Sequence, residues 1–155
     1  MIFLKKIIKV VKIFIITLTF SLSLSIPSQA NQSVEEIIKG RKAIFSKNYQ
    51  TAKKISILLK SKKIEEAKPL MQEMSDNYKK LLNYFPENTK EGFKTEALPT
   101  IWENSDEFVT LMQKASFDMI QLAKAIDTAE DLRVVQKELM WNNCSACHKK
   151  FRLKK

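Results

Sequence analysis

The chain has 155 residues, with 27 Lys and Arg against 17 Asp and Glu, and a formal net charge of +10. This length is enough for one domain with a buried core. The basic residues are spread along the chain, and the one dense patch, KKFRLKK at 149–155, is typical of a solvated terminal turn. We therefore expect no nucleic-acid partner, and the charge is compatible with an acidic partner.

The first 30 residues have the layout of a secretory signal peptide. After a lysine-rich start, 14 uncharged residues run from Ile13 to Ile26, and Pro27 follows. Ser28 and Ala30 place small residues where a signal peptidase inspects the chain. We expect cleavage after Ala30, export to the periplasm and a mature domain at 31–155 with no membrane attachment. An anchor that is never removed is the alternative, but the uncharged run is shorter than the roughly 20 residues of a spanning helix.

The mature chain has apolar residues at helical spacing and no alternating strand pattern. Ser33 and Glu36 form a capping-box pattern, which predicts a first helix from Ser33 to Lys60. Its apolar stripe is Val34, Ile37, Ile38, Ile44, Phe45, Ala52, Ile55, Leu58 and Leu59. After the polar link SKK at 61–63, a second stripe is Ile64, Ala67, Leu70, Met71, Met74, Tyr78, Leu81, Leu82 and Phe85. Pro69 is expected to trim the start of this helix or to kink it.

The longest loop is FPENTKEGFKTEALP at 85–99, which contains two prolines and a glycine. We expect Asn104 or Ser105 to cap the third helix, and Thr128, followed by Asp131, to cap the fourth. The third stripe is Phe108, Met112, Ala115, Ile120, Leu122, Ala123 and Ile126, and the fourth is Leu132, Val135, Leu139 and Ala146. Four helices with two short links and one long loop predict an all-α, antiparallel four-helix bundle.

All the cysteine and histidine of the chain lies in CSACH at 144–148, at the end of the fourth helix. Because positions i and i+3 share a helix face, Cys144 and Cys147 present both sulfurs to one side, with His148 nearby. A disulfide or redox pair is one interpretation, but a redox C-x-x-C usually opens a helix, and this one closes it. A structural zinc site needs four ligands, and only three are present. Covalent haem attachment needs two cysteines and one histidine, so we favour one covalent haem c.

Together with other motifs, this signature makes the chain resemble the cytochromes c′, which are periplasmic four-helix bundles with one haem near the C-terminus. The matching stretches are IKGRKAIF at 38–45, FPENT at 85–89, TEALPTIWENSDEF at 95–108 and CSACHKKFRLKK at 144–155. The resemblance covers the whole mature chain, with the motifs in the family's order, and it implies that haem is attached near the C-terminal end of the fourth helix.

The resemblance also implies roles for single residues. Cys144 and Cys147 bind the haem vinyl groups by thioether bonds, and His148 is the proximal iron ligand. Arg41, joined by Lys42, approaches a haem propionate, since a guanidinium matches a carboxylate.

Further positions follow from the same resemblance. Thr95 and Glu96 align with a loop at the haem edge, although Glu96 would repel a propionate unless a proton is shared. Arg152 lies near His148. The alternative for Arg41, Lys42 and Glu96 is a solvated surface position.

The sixth iron position decides the chemistry. By the resemblance, low-spin relatives place a methionine four residues after the basic residue of the first-helix motif, which is Arg41 here. This chain has Phe45 at that position, and its first helix holds no methionine or histidine. We expect an empty apolar site and a five-coordinate, high-spin haem that binds NO and CO and forms little stable O₂ complex. The alternative is a six-coordinate, low-spin electron carrier with a methionine from a later helix; those methionines, Met71, Met74, Met112, Met119 and Met140, are expected in the core.

Three function classes follow. Gas binding fits the open site, and single-electron transfer with a redox partner protein fits the single haem. Catalysis fits worst, because the one histidine is already used and no distal base remains, so we expect no enzyme and no catalytic residue. The resemblance is compatible with a homodimer through helices one and two, but the outward faces of those helices are lysine-rich here, so the sequence leaves both a monomer and a dimer open.

Overall fold

The computed structural model describes residues 32–154, so the predicted signal peptide and its cleavage site lie outside the described residues. Four helical segments dominate: α1 is Val34–Lys60, α2 is Ile64–Leu81, α3 is Ser105–Ala125, and α4 is the continuous run 132–151. The α2–α3 connection contains 3-10 turns at Leu82–Tyr84 and Glu87–Thr89 and the short helix Thr100–Glu103.

The segments pack as a four-helix bundle, which confirms the predicted fold class. α2 packs along both α1 and α3, and α4 packs against α3. Between residues 32 and 154 there is no strand, only one isolated antiparallel bridge between Ala97 and Arg152. In the same range no helix is long and apolar enough to cross a membrane.

The start of α1 has the predicted capping box. Ser33 N donates to Glu36 Oε2 at 2.8 Å, and Glu36 N donates to Ser33 Oγ at 3.2 Å, so two otherwise unpaired amides are satisfied. The link at 61–63 turns the chain with Lys62 at φ 58°. α2 begins directly at Ile64, and Pro69 lies inside it, so the proline does not trim the start of the helix.

The two later cap predictions need correction. Asn104 is the N-cap residue of α3, but it makes no capping bond; its Nδ2 donates to Thr100 O at 3.4 Å, because the preceding short helix offers that carbonyl. α4 is capped by Asp131 rather than Thr128, since the Asp131 carboxylate accepts from Arg133 N at 2.8 Å.

α4 contains a π-helical turn, Lys137–Trp141, between Leu132–Gln136 and Asn142–Phe151. This turn shifts the inward face by about one residue relative to the spacing from Leu132. Ala146, expected in the core stripe, is therefore exposed, and Asn143 and Phe151 are buried instead.

The core lies between all four segments. It includes the five methionines expected there, and each is at most 2% exposed: Met71, Met74, Met112, Met119 and Met140. A chain of aromatic rings extends the core toward α1, with the Phe45–Phe85, Phe85–Phe108 and Phe108–Phe151 ring centroids 6.4, 4.7 and 5.4 Å apart. This packing leaves a space on one side of the rings.

Candidate functional site

That space is a cavity of about 740 Å³ between the four helical segments and the α2–α3 loop. Its volume lies in the range of cofactor pockets. All nine residues singled out from the sequence line it: Arg41, Lys42, Phe45, Thr95, Glu96, Cys144, Cys147, His148 and Arg152. The other principal contributors are Asn48, Ala52, Tyr78, Phe85, Ile101, Phe108, Leu111, Met112, Ala115, Trp141 and Asn143. The structure thus brings together segments that are more than 100 residues apart in the chain.

The α4 wall carries the two thiols on one face of regular helix. Both cysteines are half-buried, and they are not bonded to each other. Burial raises the pKa of the Cys144 thiol, and burial together with Cys144 raises the pKa of Cys147 to about 11. Reactive dithiols have depressed pKa values instead, so this environment does not favour a redox pair. The Tyr78 hydroxyl lies 3.8 Å from Cys144 Sγ.

His148 lies on the same wall, next to Arg152. Arg152 Nη1 is 3.4 Å from His148 Nδ1, and Arg152 Nε is 3.6 Å from Glu96 Oε2. Desolvation lowers the pKa of His148, the positive charge of Arg152 lowers it further, and Glu96 opposes the shift. The neutral imidazole, which is the form that ligates metals, is thereby favoured.

Arg41 is a buried cation at one end of the cavity. It is 2% exposed, and its guanidinium donates to Tyr84 O (3.4 Å), Thr89 Oγ1 (3.2 Å), Thr89 O (3.0 Å) and Thr95 Oγ1 (2.5 Å). Desolvation lowers the pKa of Arg41 to about 10. Its acceptors are all uncharged, so a carboxylate from a bound group would supply the missing counter-charge.

The loop beside Arg41 forms the rim of the cavity. Gly92, Phe93 and Lys94 all have positive φ (87°, 47° and 54°), which is strained for the two non-glycine residues. Lys42 is exposed, and its Nζ donates to Lys94 O at 3.2 Å. Thr95, held by Arg41, leads directly into the segment that contacts α4.

That segment ties the rim to the end of the chain. Leu98 N donates to Phe151 O at 3.1 Å, and Leu153 N donates to Glu96 O at 2.8 Å, around the Ala97–Arg152 bridge. The half-buried Glu96 is paired with Arg152, so its negative charge is partly compensated. We call residues 96–98 and 151–153 the C-terminal clasp.

The α1 wall carries Phe45, as the sequence predicted, but it is not purely apolar. Asn48, three residues later and therefore on the same helix face, also lines the cavity and was missed. Helical spacing could have predicted this position, since residues 41, 45, 48 and 52 fall on one face of α1. Asn143 was missed as well: its Nδ2 donates to the buried Asp118 carboxylate at 2.8 Å, which holds the residue before Cys144.

A helical bundle that encloses such a cavity, with C-x-x-C-H on its last helix, defines a c-type haem protein. Comparison with known proteins specifies the family. The family model Cytochrome C′ matches residues 36–152. Cytochrome c′ of Rhodopseudomonas palustris (strain ATCC BAA-98 / CGA009) is 33% identical over 129 residues, covering 77% of this chain and 84% of the relative. Cytochrome c-556 of Agrobacterium tumefaciens (strain II Chrys) is 29% identical over 91 residues, covering 59% and 73%.

The solved structure of cytochrome c′ from Rhodopseudomonas palustris has a TM-score of 0.63 and 29% identity, over 80% of this chain and 99% of that chain. The chain therefore belongs to the cytochrome c′ family. Members of this family carry one covalent haem c. The residues present fit that group, because paired sulfurs, one imidazole and an uncompensated buried guanidinium all line one apolar cavity.

Proposed function

We propose that this protein is an exported, periplasmic cytochrome c′ with a five-coordinate, high-spin haem that binds NO and CO and exchanges single electrons with a redox partner protein. The observation that carries the proposal is the placement of Phe45 in the cavity wall formed by α1, while His148 lies in the wall formed by α4. A phenyl ring has no lone pair, so Phe45 leaves the sixth iron position without a protein ligand.

In this proposal Cys144 and Cys147 would hold the haem by thioether bonds, and His148 would ligate its iron. Arg41 and Thr95 receive a propionate, with Lys42 nearby at the rim. When bound, the haem supplies an iron that binds diatomic gases and changes oxidation state by one electron. The chain's own residues orient it, and the phenyl ring of Phe45 offers water no hydrogen-bonding partner.

The test is the absorption and EPR spectrum of the purified protein, oxidised and reduced, with and without CO and NO. We expect high-spin spectra in both states and complexes with both gases. Phe45→Met should supply a thioether, shift the spectra toward low-spin and weaken CO binding by competition. Phe117→Met is the matched control, because Phe117 is 61% exposed on α3 and should leave the spectra unchanged.

One observation favours a second candidate. Met112, which is 2% exposed on α3, is the methionine that lines the cavity among the described residues. If its sulfur reached the iron, the protein would be a six-coordinate, low-spin electron carrier. A low-spin wild-type spectrum with a methionine-to-iron charge-transfer band, which Met112→Leu converts to high-spin, would establish that candidate and refute the first.

A further inference from the structure

A buried carboxylate lies just behind the cavity wall and has no part in the proposed function. Asp118 on α3 is 5% exposed, and it is the one buried acid in the range 32–154. Its Oδ2 accepts from Asn143 Nδ2 at 2.8 Å and from Lys114 Nζ. Asn143 lines the cavity, and so does Ala115, which lies about one turn before Asp118 on the same helix face. The carboxylate is therefore separated from the contents of the cavity by a single layer of side chains.

The charge of this carboxylate is only partly compensated. Asn143 is uncharged, and within the described part of the chain Lys114 is the one cation paired with Asp118. The Lys114 side chain is 55% exposed, whereas the Asp118 side chain is 7% exposed. Solvent and salt screen the exposed ammonium strongly and the buried carboxylate much less. The pair therefore presents a net negative potential to the interior of the protein.

We propose that Asp118 lowers the midpoint reduction potential of the haem and thereby favours its ferric state. This inference rests on the single-electron exchange of the proposed function. Reduction adds one electron to the iron, so the charge of the haem falls by one, and a fixed negative charge nearby opposes that change. The direction of the effect does not depend on how the haem lies in the cavity, because a negative charge stabilises the more positive oxidation state from any side.

The test is an anaerobic redox titration of the haem-loaded protein, with dithionite as the electron donor, ferricyanide as the electron acceptor and absorbance as the readout. Asp118→Asn removes the charge at nearly unchanged volume and keeps an oxygen that can accept from Asn143, so it should shift the midpoint potential upward. Lys114→Gln removes the compensating cation and should shift the midpoint potential downward. The downward shift should be the smaller one and should shrink as salt is raised, because the ammonium is exposed.

Asp127→Asn is the matched control. Asp127 also pairs with a lysine, Lys68, at 2.8 Å, but its side chain is 49% exposed. It lies beyond the C-terminal end of α3, twelve residues after Ala115, and its replacement should leave the midpoint potential unchanged. The absorption spectra of all three variants should match those of wild type in each oxidation state, which would show that the shifts come from charge and not from altered iron ligation.

Each outcome decides the matter. An upward shift in Asp118→Asn with a downward shift in Lys114→Gln supports the proposal. An unchanged or lowered midpoint in Asp118→Asn, or shifts of the same sign in both variants, overturns it while leaving the haem site intact. If Asp118→Asn does not accumulate with haem, Lys114→Gln decides: a lowered midpoint supports the proposal, and an unchanged or raised one refutes it. If wild-type protein shows no reversible one-electron titration, the proposed electron exchange and this inference fail together.

Discussion

Arg41 illustrates how much a single residue can organise. Its guanidinium joins α1 to both ends of the loop 89–95 through Thr89 and Thr95. The guanidinium carbon also lies 4.9 Å from the centroid of the Phe85 ring, which is a cation–π contact. The solvated alternative for Arg41 is wrong, because the side chain is 2% exposed. Lys42, the next residue, is exposed, as the solvated alternative expected.

Replacing Arg41 should therefore destabilise the protein even with haem bound. Arg41→Met keeps much of the apolar stem but leaves buried acceptors on Thr89 unpaired, and we expect a loss of about 1–3 kcal/mol in the free energy of unfolding. Urea denaturation of the haem-loaded protein, followed by tryptophan fluorescence, measures it. Lys42→Met is the matched control and should change stability by at most about 0.5 kcal/mol. Equal losses in the two variants would contradict the structural role of Arg41.

At this scale the sequence allowed some residues to be predicted and not others. The family resemblance was sufficient to predict nine residues that line one cavity. It could not show that Asn48 accepts a hydrogen bond from Asn77 of α2, because no local pattern links the two. It also could not show that Glu96 pairs with Arg152, since this contact joins positions 56 residues apart.

Among the elements, α4 departs most from its sequence pattern. The π turn is closed by Asn142 N, which bonds to Lys137 O, five residues earlier. It holds one residue more than an α-helical turn, directly before the haem-attachment segment. The periodicity argument assumes a constant 3.6 residues per turn, so it could not detect the extra residue. It therefore assigned Ala146 to the buried face of the helix, which is wrong. The predicted cap at Thr128 was wrong because Asp131 lies closer to the start of the helix and caps it instead.

Deletion of Glu138, which is exposed in the π turn, should be tolerated. It converts the π turn to α-helix while both flanking segments keep their faces, so haem attachment and the folded state should persist. Deletion of Gln113 is the control, because that residue is exposed in the regular helix α3 and its loss rotates all that follows by roughly 100°. Soluble yield and haem content of the two variants measure the difference. Failure of the Glu138 deletion alone would show that the π geometry itself is required.

For the whole molecule, the cavity is the dominant feature. Its wall is mostly apolar and aromatic, so water in it finds few hydrogen-bonding partners away from the polar rim. A haem bound against this wall would bury it, and the packing of the bundle would then depend on the cofactor.

The double variant Cys144→Ala, Cys147→Ala should consequently release its haem to acid–acetone and then lose its near-UV circular dichroism, while much helical signal remains. Mass spectrometry should show the bare polypeptide. Ser145→Ala is the control, since Ser145 lies between the cysteines and lines the same cavity. Wild type and this control should retain haem. Covalent haem in the double variant would disprove the thioether assignment.

The global fold was predictable because four amphipathic stripes with short links admit few arrangements. The size of the cavity was not predictable. It depends on the distances between the four helices, and side chains from all four set those distances together.

The C-terminal clasp has a consequence for biogenesis. The chain is synthesised from its N-terminus, so α1, α2, α3 and residues 96–98 of the clasp are made before residues 144–153. The segment proposed to bind the haem is thus also the one that closes the cavity, because Phe151 O accepts from Leu98 N and Leu153 N donates to Glu96 O. Haem loading and closure of the cavity therefore come last in maturation. A nascent chain that stops before position 144 lacks both the cysteines proposed to hold the haem and the residues that complete the clasp.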